Sequence, residues 1–232
     1  MSSSAIREPW SADATPPARI ELQPIADPAV LGSFALASGL IVFGLWFAGT
    51  FGAAGAPKTF FPFVLLFSGV GQLSAALWAY RARDAVAASI HGSWAAFWLG
   101  VGLIYLLATT HTIVVPARGE HWAALGQWFM YMSVVTWTTA FAALARSPVG
   151  FFAQAVLGAA SAIASAALLT ASPGWAEVAG WLFVAAAAFA FYVGAALMLD
   201  SVYGKVALPL LRRGKAEPIA YEHGDPGVKV GQ

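Results

Sequence analysis

Long apolar blocks alternate with short polar breaks along the chain, and block length sets the first reading. A transmembrane helix needs about 20 mostly apolar residues, and six stretches qualify: 30–51, 60–80, 92–110, 122–145, 150–171 and 176–199. The breaks hold turn residues and most of the charge: Gly52, Gly55, Pro57 and Lys58; then Arg81, Arg83 and Asp84; then His111, Pro116, Arg118, Glu120 and His121; then Arg146 and Pro148; then Ser172-Pro173-Gly174. The first block opens at Asp27-Pro28-Ala29-Val30-Leu31-Gly32. Asp is a preferred helix N-cap, and Pro suits the first helical position because its missing N–H would be unpaired there anyway. A helix that starts sharply at this hinge between water and bilayer is therefore predicted.

Composition agrees with the pattern. At 59% hydrophobic and 10% charged residues over 232 positions, the chain is too apolar for a soluble globular domain. The predicted fold class is an all-α integral membrane protein, a six-helix transmembrane bundle with flexible polar N- and C-terminal tails. Residues 1–24 are rich in Ser, Ala, Pro and mixed charge without the apolar stretch of a signal peptide, and read as a disordered cytoplasmic tail. Residues 25–210 read as the transmembrane domain and 211–232 as a second flexible cytoplasmic tail. Arg19, Arg81, Arg83, Arg146, Lys205, Arg212, Arg213 and Lys215 collect on one side and only Lys58 and Arg118 on the other, which places both termini in the cytoplasm of a multi-pass plasma or inner membrane protein.

The interior chemistry is spare. Away from the ends, no Asp, Glu, Lys or Arg falls within a block. Ionisable residues at membrane depth mark proton relays and ion sites, so a pump built on buried carboxylates is disfavoured and a facilitator or channel lined by weakly polar groups is favoured. Candidate lining residues are Ser38, Gln72, Ser74, Ser93, Thr109, Gln127, Ser133, Thr136 and Gln154. Ser and Thr in membrane helices commonly bond their own turn or a neighbouring helix. Gln72 stands out, because an amide is costly to leave unpaired in hydrocarbon. Gly158, Ala162 and Ala166, and the alanines around Ala185 and Phe189, are small-residue seams for close helix packing. Trp46, Trp122, Trp128 and Trp175 lie toward block ends as interfacial anchors, whereas Trp94, Phe97 and Trp98 cluster where rings either pack helices or narrow a pore. The chain has no Cys, its four His lack metal-ligand spacing, and no nucleophile, zinc-protease or phosphate-loop motif occurs. No cofactor, no nucleic-acid partner and no enzymatic activity are expected.

Several of these blocks, in order, resemble the acetate uptake transporter family, also called the succinate–acetate permeases. Asp27-Pro28-Ala29-Val30-Leu31-Gly32 is similar to its Asn-Pro-Ala-Pro-Leu-Gly, Gly69-Val70-Gly71-Gln72 to its Gly-x-x-Gln, and Tyr80-Arg81 to its Tyr-Lys. Ser93-Trp94-Ala95-Ala96-Phe97-Trp98 is similar to its Ser-Tyr-Gly-Ser-Phe-Trp, and Ala179-Gly180-Trp181, Tyr192 and Gly204-Lys205-Val206-Ala207-Leu208-Pro209 to its last span and exit. The resemblance covers roughly residues 26–210. It implies a six-helix protomer assembled as a homo-hexamer, each subunit with its own path for acetate or a related small carboxylate, proton-coupled or passive. The implied pathway comprises Asp27, Pro28, Leu31, Gly32, Leu36, Gln72, Ser93, Trp94 and Phe97, with Leu36 and Trp94 standing where the family has a constricting Phe and Tyr. Asp27 replaces the family's Asn; it either faces away, bonded into its own turn, or is protonated during passage. A channel for small neutral amides such as urea, and a non-transporting sensor or scaffold subunit, are the alternative readings.

Overall fold

The computed structural model describes residues 25–50, 56–118 and 120–213. The tail residues 1–24 and 214–232, and the turn glycines Gly52 and Gly55, lie outside the described residues. Among the described residues the chain is helical without strands: α1 (Pro28–Phe47), α2 (Ala56–Arg81), α3 (Ala85–Thr109), α4 (Ala123–Leu144), α5 (Pro148–Thr170) and α6 (Pro173–Tyr203). Five of them are long and apolar enough to cross a membrane. The other, α4, has 22 residues, about 33 Å of helix against a hydrocarbon core of about 30 Å. Gln127, Tyr131, Ser133, Thr136 and Thr139 make it the least apolar of the set. The chain is an all-helical, multi-pass membrane protein.

One device starts three of these helices. Asp27, Ser147 and Ser172 each cap a helix whose next residue is proline, their side-chain oxygens accepting from Ala29 N (2.8 Å), Gly150 N (3.1 Å) and Trp175 N (3.4 Å). The pyrrolidine ring presets a helical φ while the cap satisfies an orphan N–H. Pro148 and Ser172-Pro173, which read as turn residues in sequence, are therefore helix starts. Asp84 does the same for α3, accepting from Ala87 N at 3.0 Å. That cap starts α3 seven residues before the expected 92 and draws His91 into the helix. Within α2, Pro62 lacks the N–H that would bond back into the helix, and the following Val64–Val70 winds as a π-helix.

The helices close into a ring in which α1 packs on α2 and α6, α2 on α3, α3 on α4, α4 on α5 and α5 on α6; α1 also reaches α3. The tightest approach is between α1 and α6. A Cβ on Gly180 would strike the backbone of Ala48 and the carbonyl of Gly44, and one on Gly44 would meet Gly180 O at 2.8 Å. Only glycine on both sides allows this spacing. The seam expected at Gly158, Ala162 and Ala166 divides instead: Gly158 is buried against Trp137, while Ala162 and Ala166 are exposed. Arg118 completes the far end of α1, its Nε donating to Phe47 O at 2.9 Å, where a cation suits the helix's negative terminus.

Candidate functional site

The interior of the ring divides into two zones along the helices. In the half beyond Trp94, aromatic rings fill the centre. Phe43 is the hub, with ring centroids at 5.3 Å to Phe47, 5.6 Å to Phe183, 5.8 Å to both Phe129 and Trp98, and 5.9 Å to Phe97, several of them edge-to-face. Edge-to-face and offset pairs favour such distances because ring edges are positive and faces negative. Trp46 belongs to this cluster too, 5.5 Å from Phe43 and buried. It is not the interfacial anchor its position near a block end predicts; Trp128 and Trp175 are exposed, as an anchor should be.

In the half toward the N-terminus the contacts turn polar. Gln72 on α2 is 0% exposed and His91 on α3 is 4% exposed, with His91 Nδ1 and Gln72 Oε1 3.4 Å apart. Gly32 on α1 lies directly over the imidazole, where a Cβ would come within 2.5 Å of the ring. One level deeper, Ser38 Oγ donates to Ala35 O and shares a 2.9 Å bond with Ser68 Oγ. Gly39 makes room there for Ser68 and for Trp98. Trp94 Nε1 donates to Thr136 Oγ1 at 3.2 Å, tying α3 to α4. Two buried donors have no partner among the described residues, Gln72 Nε2 and Trp98 Nε1.

The residues read from the sequence as a pathway are not all in one place. Gly32, Leu36, Gln72, Trp94 and Phe97 are buried in the ring, and Trp94 and Phe97 touch at 5.2 Å between centroids. Ser93 and Pro28 are half-buried. Leu31 is 43% exposed, turned out of the bundle. Asp27 is exposed, its carboxylate engaged in capping α1. Of the weakly polar candidates, Ser74 and Thr109 bond carbonyls of their own helices, Ser133 donates across to Gly158 O, and Gln127 is exposed. His91 and Phe43 are absent from the sequence-derived set. The signal for His91 was Asp84 as a cap, which would have put His91 inside the span; a sevenfold spacing pairs Gly32 and Gly39 with His91 and Trp98.

At the same end of the ring a strap ties α6 to the α4–α5 turn. Beyond α6 the chain returns across the α4–α5 turn: Arg213 N donates to Arg146 O at 2.7 Å, Ser147 Oγ donates to Leu210 O, and Tyr192 Oη donates to Pro209 O at 2.9 Å. Arg146 pairs with Asp84 at 2.7 Å, and Arg212 with Asp200 at 3.7 Å. Beside Asp84 a groove of about 180 Å³ is lined by Ala79, Tyr80, Arg83, Asp84, Ala85 and Ser89.

Comparison with known protein families matches residues 12–211 of the chain. The chain belongs to the GPR1/FUN34/yaaH family. This is the acetate uptake transporter family whose motifs the sequence resembles. The fold of this GPR1/FUN34/yaaH member is similar to a solved structure described as that of the bacterial acetate channel SatP, with a TM-score of 0.72 over 81% of this chain and 99% of that chain at 22% identity. A search of curated proteins gives no match.

Proposed function

We propose that the protein is a membrane transporter or channel for small carboxylates, acetate foremost and succinate among related acids, and not an enzyme. The observation that carries this reading is the interior of the ring, which has no Asp, Glu, Lys or Arg away from the helix ends yet keeps a fully buried amide with unused donors at Gln72. An uncharged lumen with one amide donor is suited to passing a small solute and unsuited to holding an ion tightly. Family membership and the likeness to a protein described as an acetate channel support the substrate class.

In this reading residues 25–210 are the transporting domain, both termini face the cytoplasm, and six copies assemble with one path in each. Gly32, Leu36, Gln72, Ser93, Trp94 and Phe97 line that path, with Leu36 and Trp94 as its constriction, and Asp27, Pro28 and Leu31 form the rim at its mouth. Asp27 serves as a cap: bonded to Ala29 N, its charge rests against the positive end of α1. The test is acetate uptake into proteoliposomes of the full-length protein at acidic and neutral pH, against empty liposomes and a Leu36→Phe, Trp94→Tyr variant. Uptake above the empty control, competed by other short carboxylates, is expected. Urea flux without acetate flux would replace this reading with the neutral-amide one.

A further inference from the structure

Gln72 is held by one end only. Its Oε1 faces His91 Nδ1 at 3.4 Å, while its Nε2, with two hydrogens to give, is buried and without a partner. A buried donor left unmet is costly, and such groups persist where a ligand or water completes them. The imidazole tautomer that donates from Nδ1 leaves Nε2 as an acceptor, and no hydrogen bond to that nitrogen occurs among the described residues. Gly32 does not cover it. A Cβ at Gly32 would lie 2.5 Å from Cδ2, 2.5 Å from Nε2 and 2.6 Å from Cε1, so the glycine sits over the face of the ring and not along the in-plane lone pair of Nε2. The pair thus offers an unused donor and an unused acceptor.

We propose that His91 and Gln72 together form the carboxyl-recognition site of the pathway, and that the site takes a small acid together with one proton. Gln72 Nε2–H donates to the carbonyl oxygen of the acid, and His91 Nε2 accepts from its O–H. If the proton passes to the imidazole, Nε2–H donates to the carboxylate instead, and the total charge and proton count are unchanged. A bare carboxylate brings only acceptors and meets the Nε2 lone pair. A primary amide brings a donor and an acceptor of its own and needs no proton. His91 faces Gly32 from α1 and Gln72 from α2, neither of them ionisable. The other ionisable groups on these elements stand toward helix ends: Asp27 capping α1, Lys58, Tyr80 and Arg81 on α2, and Tyr105 on α3 with its cap Asp84, the last ion-paired with Arg146. That leaves His91 Nε2 to accept the acid's O–H. The inference deepens the transport reading and rests on it.

Calorimetric titration of the full-length protein in detergent tests it, with acetate and acetamide each measured near neutral pH in two buffers of different ionisation enthalpy, so that protons taken up are counted along with Kd. Acetate binding should take up about one proton and acetamide binding none, as linkage requires when only the former must arrive as an acid. His91→Leu removes the acceptor that the acid's O–H needs and should weaken acetate about tenfold or more, the loss of one strong hydrogen bond, whereas His91→Gln, whose Oε1 still accepts once its amide donates to Gln72, should bind acetate more tightly than His91→Leu does. Gln72→Leu should weaken both ligands to a similar degree. Acetate binding without proton uptake in the native protein, or native acetate affinity in His91→Leu, overturns the His91 site and leaves acetate transport standing. Absence of both acetate binding and acetate flux overturns both.

Discussion

Around Phe43 every direction meets an aromatic ring, whereas around Gln72 the neighbours are an imidazole, a glycine and an empty donor position. The two zones use the same helices, α1 and α3 in particular, a few turns apart. The aromatic zone fills the centre with rings, and its one open donor among the described residues is the indole N–H of Trp98. The polar zone is packed as closely, yet leaves the amide donor of Gln72 unmet beside an imidazole. On the proposed transport reading, barrier and recognition lie at separate depths, so that a change in one should alter how much passes and a change in the other should alter what passes.

The largest test of that separation is Phe43→Ala. Truncating a fully buried ring at the hub should lower stability by about 3–5 kcal/mol, read as an earlier thermal unfolding in detergent, and should let small solutes leak through proteoliposomes irrespective of charge. Gly180→Ala should cost about 1–3 kcal/mol by forcing α1 from α6, as overpacking does. Gly100→Ala, at a helical position with nothing within 4 Å, is its control, and should be neutral or stabilising by up to about 1 kcal/mol. Trp94→Phe keeps a ring at the boundary between the zones but leaves Thr136 without its donor; a loss of about 1–2 kcal/mol is expected, with acetate flux changed more than stability. The smallest effect should come from Arg146→Ala. Its guanidinium is 59% exposed, and an exposed ion pair contributes about 1 kcal/mol or less, fading as salt is raised from dilute to molar in the unfolding buffer.

Legibility differed between the zones for a physical reason. Gln72 was readable because an amide in a long apolar run is costly wherever it points. His91 was not, because the apolar block starts after it; only the capping bond of Asp84 to Ala87 N moves the helix start back and carries the histidine into the helix. Trp46 was misread for the opposite reason. A tryptophan near a span end suits an interface, but this one stands against the rings of Phe43, Phe47, Phe61 and Tyr105, which bury it. Leu31 shows the limit of motif reasoning: it shares a stretch with Gly32, yet adjacent helical residues point about 100° apart, and it turns outward.

The chain alone determines whatever one helix settles for itself: block length gives the spans, Asp-Pro and its relatives give sharp starts, and the lack of interior charge disfavours a carboxylate relay. Whatever depends on two helices meeting had to come from the folded ring. Which glycines allow close approach, which rings meet around Phe43, and the pairing of His91 with Gln72 under Gly32 are all set by the rotation of each helix about its axis. In hydrocarbon every helix face is apolar, so hydrophobic periodicity, which fixes that rotation in soluble bundles, is nearly silent here. Packing of small residues and rings against one another decides it instead.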